Sequence, residues 1–158
     1  MGQELVGELD QSVGYVLKQV HAALRSAMDE SLRSLDLTVP QYACLELLGK
    51  DPGLSSSELA RRAFVSRQSM NLVLRRLQER GLLARLSEAP HGRALPSRLT
   101  DEGRTILRQA SAAARAAEKE LFAPLSPDRQ RRVREDLAAC LAPAAGHARL
   151  AHAPKPCC

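Results

Sequence analysis

A chain of 158 residues that is 44% hydrophobic but only 3% aromatic, with no Trp, can fill one core, and must fill it with Leu, Val and Ala. Richness in Ala, Leu and Arg leans it towards helix, and no run approaches the roughly 18 apolar residues of a membrane span. The net charge of +5 is local: residues 1–54 hold 4 basic and 8 acidic side chains, residues 55–99 hold 9 Arg and 3 Glu, and residues 100–158 hold 10 basic and 7 acidic. An Arg excess confined to the middle is the footprint of a polyanion-binding surface.

From about Asp10 to Leu35, apolar residues at Val13, Val16, Leu17, Val20, Leu24, Met28, Leu32 and Leu35 step by three and four, which predicts one long amphipathic helix. Thr38-Val-Pro-Gln41 has capping-box spacing with Pro in the first turn, so a second helix is expected to about Leu48, stopping at Gly49. Ser55-Ser-Ser-Glu58 opens a short third helix to about Arg62. Ser66 caps a fourth, which Gly81 ends. Leu82–Ser87 and Pro96–Leu99 are short extended segments around the turn-rich Glu88–Arg93, a β-hairpin. Thr100 caps a fifth helix with Asp101 and Glu102 in its first turn and an apolar line of Ile106, Ala110, Ala113, Ala117 and Leu121. Ser126-Pro127-Asp128 starts a sixth, with Val133, Leu137, Cys140 and Leu141 on one face. Residues 143–158, rich in Ala and Pro, are expected to form a disordered tail.

The fold class expected is therefore mainly α with a small β-hairpin wing: a winged helix-turn-helix lobe over 37–99, flanked by N- and C-terminal dimerisation helices over 10–36 and 100–142. In the fourth helix Met70, Val73, Leu74 and Leu77 form a buried stripe, and at about 100° per residue the opposite face carries Gln68, Leu72 and Arg75 with Asn71 on its flank. Arg67 lies in the first turn, where an inserted helix meets base edges. Arg reads guanine, Gln and Asn read adenine, and Leu touches a thymine methyl. Ser55, Ser56, Ser69 and Arg75 suit the phosphate backbone, which positions without specifying, and Ser66 at the cap is counted among the DNA-binding residues. Arg93 at the hairpin tip can enter a minor groove, and Arg85 and Arg98 at its base can meet phosphate or pair with Glu88.

The order of these elements resembles the MarR family of bacterial transcriptional regulators over roughly Val13 to Leu141. The resemblance rests on Leu37-Thr-Val-Pro-Gln-Tyr42, Leu54-Ser-Ser-Ser-Glu-Leu-Ala60, Leu77-Gln-Glu-Arg-Gly-Leu-Leu-Ala-Arg85 and Arg98-Leu-Thr-Asp-Glu-Gly103. It departs from the family at the wing, where Ala89, Pro90 and His91 replace an Asp-rich pattern that braces the tip Arg. The resemblance implies a homodimer with interleaved first, fifth and sixth helices, placing two reading heads on a pseudo-palindrome about one DNA turn apart. The apolar stripes of the terminal helices, too long for one small lobe to cover, agree. Similar proteins are often repressors released from double-stranded DNA by small phenolic or lipophilic ligands, or by cysteine oxidation. A ligand cleft between the dimer helices and the DNA lobe would draw on Tyr15, His21, Met28 and Tyr42.

Of four cysteines, Cys44 and Cys140 fall on apolar stripes and read as inert core thiols, while Cys157 and Cys158 sit in the tail. The reactive Cys early in the first helix that marks the family's peroxide-sensing branch is missing. His21, His91, His147 and His152 lack the spacing of metal ligands, and no cofactor is expected. Nor is an enzyme: there is no phosphate loop, nucleophile elbow or His-Glu-His helix. The polar N-terminus MGQELVGELD has no apolar signal core, so a cytoplasmic protein with reduced thiols is expected. Two alternatives to an effector-released repressor stand: a thiol-responsive regulator, and a winged helix kept for protein docking, whose outer face should be apolar.

Overall fold

The structure is a computed structural model and describes residues 11–85 and 97–141. Six α-helices and two short strands follow in the order α1 (Val13–Leu32), α2 (Val39–Lys50), α3 (Ser56–Arg62), α4 (Arg67–Glu79), β1 (Leu83–Arg85), β2 (Ser97–Leu99), α5 (Asp101–Leu121) and α6 (Pro127–Leu141). Residues up to Leu121 make one compact unit and those from Phe122 a second.

In the first unit, Ser12 rather than Asp10 starts α1, its hydroxyl accepting from the Tyr15 amide at 3.4 Å. The predicted single helix to Leu35 breaks at Leu32. Arg33–Leu35 tighten into a 3₁₀ turn, and Asp36 takes φ 51°, a left-handed conformation that its short polar side chain tolerates. That reversal buries both Leu32 and Leu37 and delivers the chain to α2, where the Thr38 amide donates to Gln41 Oε1 at 2.9 Å.

Gly49 is not the expected stop. It lies inside α2, and a Cβ there would come within 2.6 Å of Leu107 Cδ2 on α5, so the glycine lets the two helices approach. The core gathers Leu45, Leu48, Leu59, Met70, Leu74, Leu77 and Leu82 against Leu99 and Ala110. The buried line of α5 runs Gly103, Ala110, Ala114, Ala117, so Ala114 takes the place expected of Ala113, which is only half-buried. Both α1 and α2 pack on α5.

The described strands pair antiparallel, Leu83 with Leu99, Ala84 with Arg98 and Arg85 with Ser97, and Leu86, Ser87 and Pro96 of the predicted segments lie outside the described residues. The hairpin tip Ser87–Leu95, Arg93 included, and the tail 143–158 lie outside the described residues.

In the second unit, Ser126 and Pro127 open α6 as expected, with Gln130 Nε2 donating to Phe122 O at 3.0 Å and Leu125 O at 2.9 Å. No α6 residue is buried: Val133, Leu137 and Leu141 are exposed, and so is Cys140, against the expectation of a core thiol.

The start of α5 is seated on the end of the recognition segment. Thr100 N donates to Leu82 O at 3.1 Å, Thr100 Oγ1 donates to Gly81 O at 2.7 Å, and the Gly103 amide donates back to Thr100 Oγ1 at 3.0 Å. A Cβ on Gly103 would stand 2.1 Å from Leu82 O, a backbone atom with nowhere to move. Gly103→Ala is therefore expected to lower unfolding free energy in urea by about 2 kcal/mol or more, as overpacking against backbone does. An unchanged midpoint would show that α5 is not seated there.

Candidate nucleic-acid interface

Two serine caps set the entry of both short helices. At α3 the Ser55 amide donates to Glu58 Oε2 at 2.9 Å, and the Glu58 amide to Ser55 Oγ at 3.2 Å, a reciprocal capping box. Hydrogen bonds from the Ser55 hydroxyl and amide hold the Glu58 carboxyl below the usual carboxylate range. The Ser55 hydroxyl, read from the sequence as a phosphate contact, is thus already engaged in the cap. At α4 Ser66 Oγ accepts from the Ser69 amide at 3.1 Å and donates to Ser69 Oγ at 2.8 Å.

Between the helices the chain turns through Ala63, Phe64 and Val65. Val65 N donates to Ala60 O at 3.0 Å and Phe64 N to Arg61 O at 3.4 Å. Those paired bonds end α3 in a Schellman motif with Phe64 at the left-handed position, φ 55°. Its ring is 95% exposed.

The buried stripe of α4 is the predicted one, Met70, Val73, Leu74 and Leu77. Arg67, Gln68, Ser69, Asn71 and Arg75 are all exposed, with Leu72 at 48% among them. The fold thus brings Ser66, Arg67, Gln68, Ser69, Asn71 and Arg75 to one helix and its cap, with half-buried Ser55 and Ser56 at the start of the helix packed on it. Arg98 is exposed on β2. A cleft of about 390 Å³ between the helix starts is lined by Ser57, Arg61, Val65 and Arg67 among others.

Arg80 is a residue that the sequence reading missed. As the C-cap of α4 it donates to Leu35 O at 3.0 Å and to Asp36 O, with the Asp36 carboxylate 3.9 Å away. It ties the recognition helix to the α1–α2 reversal, and a cation closing a helix C-terminus was the available signal. Arg62 makes a similar tie to Asp51.

The four ligand candidates lie on two helices of the first unit. Tyr15 and Met28 are half-buried on α1, His21 is exposed, and Tyr42 is buried on α2. Tyr42 donates to Glu46 Oε1 at 3.0 Å, and burial pushes its phenol above the ordinary value, with Ser111 and Arg115 of α5 nearby. A cavity of about 560 Å³ lies instead beside Arg33, Asp36, Gln41, Arg76 and Arg80, and none of the four lines it. Cys44 is fully buried, and loss of solvation pushes its thiol up to about 12, in line with an inert core residue. Among the described residues no group of three or more His, Cys, Asp or Glu could hold a metal ion, and no helix is long and apolar enough to cross a membrane.

A model of the MarR family matches residues 35–94, the span from the α1–α2 reversal through the wing. The chain is 44% identical over 122 residues, 77% of its own length and 88% of theirs, to the HTH-type transcriptional repressors Rv2887 of Mycobacterium tuberculosis and Mb2911 of Mycobacterium bovis. The chain belongs to the MarR family. The crystal structure of Rv2887 with DNA, 40% identical, superposes with a TM-score of 0.72 over 83% of this chain and 98% of that one. Rv2887 with salicylic acid, 42% identical, gives 0.71 over 83% and 97%. The repressor CouR on a 23-mer DNA duplex, 27% identical, gives 0.77 over 89% and 99%. This MarR-family chain is a transcription regulator whose mainly helical winged fold carries its polar stripe where α4 faces out.

The buried thiol gives a direct check. Because the thiolate is the reactive form, Cys44 should stay unmodified when the folded protein is held with a maleimide at pH 7, and react once guanidinium unfolds it. Peptide mass mapping reads the outcome, and native labelling of Cys44 would contradict its sealed position.

Proposed function

We propose that the chain is a sequence-specific repressor that occupies a pseudo-palindromic operator in double-stranded DNA as a homodimer and leaves it when a small effector binds. The observation that carries this reading is the face of α4. Its apolar stripe is fully used inside the lobe, while Arg67, Gln68, Asn71 and Arg75 remain exposed without a structural task. A helix kept for protein docking would turn apolar side chains outward; this one turns out base-reading ones.

In this reading Arg67, Gln68 and Asn71 meet base edges, with Leu72 as an apolar contact. Arg75, Ser56, Ser69 and the capped amides at Ser55 and Ser66 hold the backbone, and Arg93 reaches from the wing. Dimerisation draws on residues 10–36 and 100–142. The supporting feature is the set of exposed aliphatic side chains at Val13, Val16 and Leu17 on α1 and at Val133, Leu137 and Leu141 on α6. The effector is a small phenolic or lipophilic acid, for which Tyr15, His21, Met28 and Tyr42 are the lining candidates. The crystal structures of Rv2887 with salicylic acid and of CouR with p-coumaroyl-CoA support that class. Such a protein acts in the cytoplasm by occupancy, without turnover, and needs no cofactor. The sealed Cys44 thiol counts against a redox switch at that residue.

Selection of bound sites from random duplex DNA tests the reading and should return two half-sites about one helical turn apart. On the selected operator, Arg75→Ala should weaken binding to every duplex alike. Arg67→Ala and Asn71→Ala should also erase about 1–3 kcal/mol of discrimination at one position each. Unchanged affinity and specificity in all three, by anisotropy at fixed salt, would sink the assignment.

A further inference from the structure

Phe64 is out of place by every local rule. Its φ of 55° puts a bulky side chain in the left-handed region, where the Schellman position ordinarily takes Gly, and its ring is 95% exposed. The lobe thus loses stability twice, through backbone strain and through uncovered aromatic surface. The turn needs a left-handed backbone but not a phenylalanine in it, and that choice of residue points to something outside the fold.

The surroundings say what that is. Phe64 stands two residues before Ser66, the cap of α4, so it belongs to the end of the helix that enters a groove. From Leu59 to Gln78 the chain carries five Arg and no acidic residue. Arg61 and Arg67, on either side of the turn, are exposed and line the cleft of about 390 Å³ that Val65 also lines, and the one carboxylate there, Glu58, is tied into the Ser55 cap. Five guanidinium groups in twenty residues favour an anionic occupant over a neutral or basic protein surface. A polyanion is the complementary occupant, and duplex DNA offers apolar surface between its phosphates in thymine methyls and deoxyribose edges.

We infer that Phe64 is a DNA-contacting residue, its ring held out of the lobe by the left-handed turn so that it packs on the wall of the groove that α4 enters. This rests on the reading of the chain as a DNA-binding regulator. It gives the turn a role in affinity that the charged residues of α4 do not supply, because an apolar contact releases no counterions.

The test uses the full chain with Phe64→Gly and Phe64→Asn, two residues that accept the left-handed backbone. Relief of strain should leave the thermal midpoint unchanged or raise it. Affinity for the selected operator should fall about tenfold, the scale of one aromatic side chain's buried surface. The slope of log affinity against log salt should stay as in the wild type, because no phosphate contact is lost. Wild-type affinity in both variants overturns the inference and leaves the regulator reading standing. A changed oligomeric state by sedimentation also overturns it, assigning the ring to a second copy. A wild-type chain that selects no duplex removes the regulator reading and this inference together.

Discussion

The carbonyl of Leu82 is the point on which the rest of the first unit turns. It ends the exit from α4, begins β1, accepts the Thr100 amide, and lies under Gly103 at a separation no side chain would permit. Recognition helix, wing strands and the long helix α5 therefore meet at one joint of backbone hydrogen bonds, bridged by the short Thr100 hydroxyl. A hydrogen-bonded backbone joint of this kind is stiff because any displacement breaks several bonds at once and leaves buried amide and carbonyl groups unpaired. Whatever orientation α5 adopts, the reading head follows.

The same C-terminal end of α4 has a second mount, two residues before the first. Arg80 holds the carbonyls of Leu35 and Asp36, so the same helix is fastened to the reversal between α1 and α2. Two attachments fix a helix in a way that one does not: with the Leu82 joint alone, α4 could pivot about its own exit. The side chain is only partly screened from water, so the bond is of moderate strength and is the weaker of the two mounts. A signal arriving on α1 or α2 has a physical route to the DNA-reading face through Arg80, and one arriving on α5 has a route through Leu82. Both are contiguous chains of bonds rather than inferences from distance.

Much of this was legible in the residues, and what was not has identifiable causes. Capping chemistry is local, so Ser55-x-x-Glu58 and Ser66 marked the starts of α3 and α4 to within a residue, and the 3.6-residue period picked out the buried stripe of α4 in full. Gly49 misled because a glycine's signal is ambiguous: it marks either a helix end or a close approach, and only the position of Leu107 decides between them. The break at Leu32 was invisible because the apolar period runs through it, and only the left-handed Asp36 reverses the chain. Cys140 showed the limit of periodicity. A stripe says which residues share a face, and says nothing about whether that face finds cover in the same chain. Phe64 and Arg80 were missed for a related reason, since each is defined by what its backbone or side chain reaches in space rather than by its neighbours in sequence.

The small residues of α5 complete the argument about stiffness. Ala110, Ala114 and Ala117 present a nearly smooth ridge, with Gly103 below them at the joint, and α1 lies along that helix. Alanine gives up little conformational freedom on burial and allows close approach of two helix axes. Larger aliphatic residues would hold the axes apart and interlock through rotamers that can change. A ridge of methyl groups has no such alternatives, so the buried face of α5 has few ways to repack. The chain has few aromatics, and it has placed its smallest side chains where two long helices must transmit position, while its Leu-rich packing lies inside the lobe that reads DNA. In that arrangement the joint at Leu82 is the direct backbone connection between α5 and the exit from α4.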